Sequence, residues 1–197
     1  MGVRVGVLAI QGDVREHKNH LARAGATPVE VRTLNDLRSV QALIIPGGES
    51  TTIGMLMAEE GLIDAVQARV NNEQFPVYGT CAGLILLARD VVGSSPARIG
   101  VMDITADRNA YGRQLASFET KLRISVFHDE PEFPAVFIRA PRITRYGPGV
   151  TPLATYEGHV VMAEQGSLLV SAFHPEMSGD ARIHQYFVDK VRKTLKV

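Results

Sequence analysis

Val3 to Ile10 is an almost unbroken apolar, β-branched run, the pattern of a strand covered on both faces. Polar punctuation follows. Gln11-Gly12 marks a turn, and Asp13 is an N-cap with Glu16 three residues on, a capping box built on Asp. The helix so opened runs to about Ala24 and stops at Gly25. Pro28 to Arg32 predicts a second strand, Asn35 to Arg38 a short helical turn, and Ala42 to Ile45 a third, fully buried strand. Pro46-Gly47-Gly48-Glu49-Ser50-Thr51-Thr52 breaks the pattern. It leads into a helix from Ile53 to Glu59, capped by Ser50 or Thr51. Gly61 to Asn71 predicts another helix, and Phe75 to Tyr78 a fourth strand. Strands and helices alternating in this way imply a parallel sheet covered on both faces.

The second half changes period. Val101 to Arg108, Glu119 to Val126, Ala135 to Arg139, Leu153 to Tyr156, His159 to Glu164 and Leu168 to Ala172 all read as strands. Turn-formers such as Asn109, Gly112, Pro131, Gly147-Pro148-Gly149 and Gly158 separate them. Spacing this short predicts antiparallel or mixed additions to the sheet. Gly179 to Leu195 closes the chain as an amphipathic helix, with Ile183, Tyr186, Phe187, Val191 and Leu195 on its apolar face. The expected class is α/β, with a mixed, mostly parallel central sheet and helices on both faces, in one domain over residues 1–197.

Composition narrows the function classes. At 197 residues one domain buries a sizeable core. Formal net charge is zero, which argues against a nucleic-acid-binding surface. A single cysteine excludes an internal disulfide and fits a reducing, cytoplasmic setting. The apolar start is short and runs into Gln11-Gly12-Asp13 rather than a small-residue cleavage site, so it reads as a strand and not a signal peptide. No apolar run is long enough for a membrane span, and Gly6 breaks the myristoylation pattern.

Candidate chemistry centres on the one cysteine. Cys81 sits in Gly79-Thr80-Cys81-Ala82-Gly83, between a short strand and an apolar helical run from Ala82 to Ala88. This is the pattern of a nucleophile elbow with Cys in place of Ser. The two glycines would let strand and helix nearly touch. The thiol would sit at a helix N-terminus that favours thiolate, and the N–H of Ala82 could face an oxyanion. A lone buried cysteine is the competing reading. After the strand Leu168 to Ala172 comes Phe173-His174-Pro175-Glu176. Residues two apart on extended backbone face the same way, and Pro175 favours that backbone at His174. Glu176 could therefore orient His174, and His174 could take the Cys81 proton. The Gly47-Gly48 loop frees amide groups to point into a cavity. Glu49 stands where a phosphate loop needs Lys, so an anionic ligand beside it is disfavoured. His17 and His20 lie three apart on the first helix, where a solvated face outweighs a shared metal. His128, His159 and His184 read as structural or exposed.

These residues carry a resemblance. Gly79 to Gly83 together with His174-Pro175-Glu176 resembles the class I (triad) glutamine amidotransferases. The closer likeness is to the glutaminase-subunit family of pyridoxal 5′-phosphate synthase. It rests on Leu8 to His17, Pro46 to Thr52, Gly79 to Leu84, Arg108 to Gln114, Phe137 to Pro141 and Phe173 to Glu176. Met177-Ser178 depart from the Leu-Thr more usual there. The resemblance implies a flavodoxin-like amidotransferase fold, hydrolysis of L-glutamine by Cys81, His174 and Glu176, and oxyanion N–H groups from Gly48 and Ala82. It places Gly48, Glu49, Ser50, Arg108, Ile138 and Arg139 against the substrate. An Arg fork suits glutamine's carboxylate, and Glu49 its ammonium. Neither metal nor cofactor is implied. Ammonia would pass to a separate (β/α)8-barrel synthase subunit in a large hetero-oligomer. Gln11, Asp13, Arg15, Glu16 and His17 are the expected docking face. A glutaminase of imidazole-glycerol phosphate or purine synthesis is disfavoured by the Arg108 to Gln114 and Phe137 to Pro141 segments. The intact Cys81, His174 and Glu176 set disfavours a non-catalytic module.

Overall fold

The computed structural model describes residues 2–93, 97–108, 117–128 and 131–196. In chain order it contains β1 (Arg4–Leu8), α1 (Val14–Arg23), β2 (Thr27–Val31), α2 (Leu34–Arg38), β3 (Ala42–Ile45), α3 (Ser50–Glu59), α4 (Leu62–Glu73), β4 (Val77–Thr80) and α5 (Ala82–Leu87). There follow β5 (Ala88–Val91), β6 (Met102–Asp107), β7 (Ser117–Leu122), β8 (Phe133–Ile138), β9 (Arg142–Tyr146), β10 (Thr151–Tyr156), β11 (His159–Gln165), β12 (Leu168–Ser171) and α6 (Arg182–Leu195). A 3₁₀ turn, Pro175–Met177, precedes α6.

The main sheet has seven strands in the order β10-β11-β12-β4-β3-β1-β2. Pairing is parallel from β2 through to β12 and antiparallel from β12 to β10. The sequence pattern predicted the parallel first half and antiparallel or mixed additions, but of the second-half strands only β10, β11 and β12 join this sheet, and β12 does so in parallel. β3, β4 and β12 are buried along their whole length, as apolar runs without alternation require. The carboxyl ends of β1, β3, β4 and β12 therefore open on one edge, where ligands bind in open α/β sheets.

Two small sheets, β5-β6-β9 and β7-β8, flank this edge. The β7-β8 hairpin is pinned by aromatic contacts. Phe118 stacks on Phe137 with ring centroids 4.6 Å apart, and Phe137 meets Phe173 at 5.5 Å. Among the described residues no helix is long and apolar enough to cross a membrane.

Several local expectations change. The run after Cys81 leaves the helix at Ala88 and becomes β5, because Ala88 is extended at φ −61°, ψ 134°. Strand β9 was not visible in the sequence, since three of its five residues are exposed and two are Arg. The strand expected from Glu119 to Val126 ends at Leu122, and a turn follows in which Phe127 N–H bonds to the Ile124 carbonyl. Asp13 holds the N-cap position of α1, but its side chain caps nothing, and Glu16 is bonded to Arg15. The cap of α3 is neither Ser50 nor Thr51. Glu49 takes that place, accepting from the N–H groups of Thr51 and Thr52. A carboxylate at this position serves two orphan donors and the helix dipole together.

Candidate active site

The turn between β4 and α5 is a strained elbow. Cys81 sits at φ 48°, ψ −100°, a left-handed conformation that non-glycine residues rarely hold. Such strain costs about 1–3 kcal/mol and persists where the surroundings over-determine it. Here they do. A Cβ on Gly83 would strike the Ile45 carbonyl oxygen, and one on Gly79 the backbone of Gly83. Cys81 N–H is also tied to the Ser171 carbonyl at 2.8 Å. The elbow thus fixes β3, β4, β12 and α5 against each other, and the Cys81 Sγ comes to 3.8 Å from the Ile138 carbonyl.

The loop after β12 supplies the second group. His174 N–H bonds to the Val136 carbonyl of β8 at 2.8 Å. Its Nδ1 is 2.8 Å from Oε1 of Glu176. Both side chains are buried. Burial alone would raise the pKa of Glu176, but His17 and then His174 outweigh it and hold the carboxyl well below its ordinary range. Burial likewise opposes charge on His174, yet the Cys81 sulfur and Glu176 raise its pKa. Asp13 approaches the same Nδ1 at 3.8 Å. Desolvation, then the charge of Glu176, raises the pKa of Asp13. Asp13, His174 and Glu176 each offer one ligand atom within 4.8 Å of the others, but the His174–Glu176 hydrogen bond already accounts for that closeness.

The loop after β3 forms the facing wall. Gly47 lies flat against the His174 ring, where any Cβ would strike Cε1. Gly48, at φ 152°, faces the Gln11 side chain, and the next amide, Glu49 N–H, donates to Gln11 Oε1 at 2.8 Å. Glu49 Oε1 also pairs with Arg108 at 3.0 Å. The Thr51 and Thr52 amides lower its pKa to about 2.

Most residues singled out from sequence line one cavity of about 540 Å³. Cys81, Ala82 and His174 share it with Gly48, Glu49 and Ser50, and with Arg108, Ile138 and Arg139. Arg139 holds a left-handed φ of 44°, the second strained non-glycine residue there. Gln11 and Asp13 stand at its mouth, while Glu176 lies behind His174. Of the segment Arg108 to Gln114, only Arg108 is among the described residues.

Two expectations for α1 need correction. His17 and His20 do not form a solvated face: they are 0% and 5% exposed. His17 is also unavailable to a docking partner, unlike Arg15, whose side chain is 85% exposed. The helix turns His17 and His20 inward, where both rings meet His184 of α6. Sequence reasoning undervalued them because histidines on a helix of low apolar content look like a wet face. The inward position of Leu21 was the available signal.

A parallel sheet ending in a strained cysteine turn, beside a buried His–Glu pair, is the architecture of the class I glutamine amidotransferases. The chain matches the model of the SNO glutamine amidotransferase family over residues 7–193 and belongs to that family. It is an enzyme, a glutaminase. It is 53% identical over 188 residues to the pyridoxal 5′-phosphate synthase subunit PdxT of Pelotomaculum thermopropionicum, covering 95% of each chain. A crystal structure of a glutamine amidotransferase superposes with a TM-score of 0.89 at 47% identity, covering 95% of this chain and 98% of that one. PurLQS from Thermotoga maritima, 17% identical with a TM-score of 0.66 over 100% of this chain and 98% of that one, shares the fold alone.

Proposed function

We propose that the chain, acting as one domain, hydrolyses L-glutamine through Cys81, His174 and Glu176. We further propose that it hands the ammonia to a separate (β/α)8-barrel subunit that builds pyridoxal 5′-phosphate. The observation that carries the catalytic reading is the opening of the Cys81 elbow onto the cavity that His174 also lines, with Nδ1 of His174 engaged by Glu176. That engagement leaves Nε2 for the thiol.

In this mechanism Nε2 of His174 takes the Cys81 proton, and Sγ attacks the side-chain amide carbon. The resulting oxyanion is held by the N–H groups of Gly48 and Ala82. His174 returns the proton to the amide nitrogen, the C–N bond breaks, and ammonia leaves a glutamyl thioester. Water, deprotonated by His174, attacks the thioester and frees glutamate and Cys81. Glu176 keeps the imidazole in the tautomer that serves each transfer. The zwitterionic head of glutamine suits Arg108, Arg139 and Glu49. Arg108 and Glu49 pair with each other at 3.0 Å, so the substrate would exchange its own charges into that pair.

Coupling to the partner has support in the Gln11 contact. Gln11 is exposed and grips the amide next to Gly48, so docking there would reach the oxyanion loop directly. Arg15 and Glu16 continue the same face outward, with Asp13 at its inner edge. A side chain at Gly47 would strike His174, so Gln11 is the cleaner place to probe the loop. Glutamate release with and without the barrel subunit tests the whole reading. Full activity alone, unchanged by the partner, would sink the coupling, and an inactive chain under both conditions would sink the catalytic assignment.

A further inference from the structure

Glu176 has two carboxylate oxygens, and the mechanism above uses one. Oε1 meets His174 at 2.8 Å. Oε2 is buried without a hydrogen-bond partner of ordinary geometry. Nε2 of His17 lies 3.4 Å from that oxygen, and both side chains are fully buried. The same Nε2 is 3.5 Å from Thr80 Oγ1, one residue before Cys81. On its other side, His17 Nδ1 is 2.9 Å from Nε2 of His184. His184 in turn stacks on His20 at 4.6 Å.

The unpartnered atoms locate the protons. His184 Nδ1 is buried and has no partner. Burial also holds the His184 ring neutral, with its pKa well below the ordinary value. A neutral imidazole has one N–H, and an orphaned buried N–H is rare. The proton of His184 therefore sits on Nε2 and is donated to His17 Nδ1. That nitrogen must offer a lone pair, which puts the proton of His17 on Nε2, aimed at Glu176 Oε2 and Thr80. This assignment follows from the hydrogen-bond network. Glu176 then has a buried imidazole on each side, hydrogen-bonded to His174 at Oε1 and facing the His17 N–H at 3.4 Å from Oε2.

We propose that His17 is a positioning residue of this amidotransferase: it holds Glu176 through Oε2, so that Oε1 faces His174 in one orientation. The proposal rests on the Cys81, His174 and Glu176 reading above. The 3.4 Å separation is long, as catalytic hydrogen bonds commonly are before substrate tightens them. His17 thereby joins α1, whose outer face carries Arg15, to the carboxylate behind the catalytic base.

Glutamate release by the full chain, with the synthase subunit present, tests this in His17→Leu, His17→Gln and His17→Asn, with wild type and Cys81→Ala as controls. Rates are taken per folded chain, with the folded fraction read from the thermal unfolding transition of each variant, so that misfolded chains are not counted. Losing the His17 N–H that faces the buried carboxylate, a bond expected to tighten when substrate is bound, should cut kcat about tenfold to a hundredfold in His17→Leu, with KM within about twofold. Gln carries an amide N–H to the place of Nε2, and Asn to the place of Nδ1. His17→Gln should therefore recover most of the loss and His17→Asn should not. If His17→Leu does not fold, the Gln and Asn pair carries the test alone. Wild-type kcat in folded His17→Leu, or equal rates for Gln and Asn, would overturn the proposal. A wild type that releases no glutamate, or a Cys81→Ala variant as active as wild type, would overturn the triad reading and this proposal with it.

Discussion

Two glycine-bearing turns meet in one cavity, and they are held in opposite ways. The Gly79 to Gly83 elbow is locked by backbone against backbone: Gly83 presses on Ile45 and Gly79 on Gly83 itself. The Gly47-Gly48 loop is held by side chains, the His174 ring on one residue and the Gln11 amide beside the other. The first arrangement cannot shift without opening the sheet. The second can change partners at the cost of a hydrogen bond or two. In the proposed mechanism the nucleophile is thus permanent, and the oxyanion wall is the adjustable part.

Five substitutions, one of them read in a pH series, break or sharpen this contrast. The largest effect is expected at the elbow's chemistry. Cys81→Ala should lower glutamate release by roughly 10⁴-fold or more while the unfolding temperature holds, because catalytic groups acting as a unit fail together. Near-normal hydrolysis in the folded variant would remove Cys81 from the mechanism. Gly83→Ala attacks the elbow's frame. Its methyl group meets the Ile45 carbonyl, so about 2–3 kcal/mol of stability should be lost in denaturant titration. A change under ~1 kcal/mol would mean that this turn too is pliable.

Arg108→Ala should raise KM for glutamine about tenfold to a hundredfold with a smaller change in kcat. Alkylation of Cys81 by iodoacetamide, which has no amino-acid head, serves as the control. Equal losses with both reagents would make Arg108 a structural residue. Gln11→Ala removes the acceptor from Glu49 N–H. It should cost no more than ~1 kcal/mol of stability, yet blunt the stimulation by the partner severalfold. Unaltered stimulation would free the loop from Gln11.

The smallest effect is on acid stability. Burial drives the His184 pKa well below 6.5, so the unfolded chain takes up a proton that the folded chain refuses. Stability should therefore be fully present above about pH 6.5 and fall as pH drops below it, by at most ~1.4 kcal/mol per pH unit from this residue. His184→Phe should flatten that slope. An unchanged slope would point to other buried groups, with His20, whose pKa is also lowered by burial, the first to examine.

Sequence reasoning reached furthest where one residue type has one physical use. The buried runs at Ala42 to Ile45 and Leu168 to Ala172 could only be covered strands. Gly79 and Gly83 flanking a cysteine pointed to the elbow. It reached less far where a side chain had several possible partners. Asp13 looked like a cap and instead faces His174, and Glu49 looked like a substrate ligand and is also the cap of α3. His17 was misjudged because helix periodicity cannot show which neighbour covers a polar residue. Only the approach of α6 and the turn at Glu176 buries it. Strand β9 stayed hidden because its pairing with β6 is long-range and its own residues are mostly polar and exposed.

Cys81 is the only sulfhydryl in 197 residues. An oxidant that converts it to a sulfenic acid meets no second cysteine that could trap the damage as an internal disulfide. Repair of that first step has to come from outside, from a small thiol able to enter the cavity, before a further equivalent of oxidant yields the irreversible sulfinic acid. A glutamine lodged over the sulfur would bar both visitors. Substrate supply would then act as an antioxidant for this enzyme, and glutamine starvation would leave it at its most perishable.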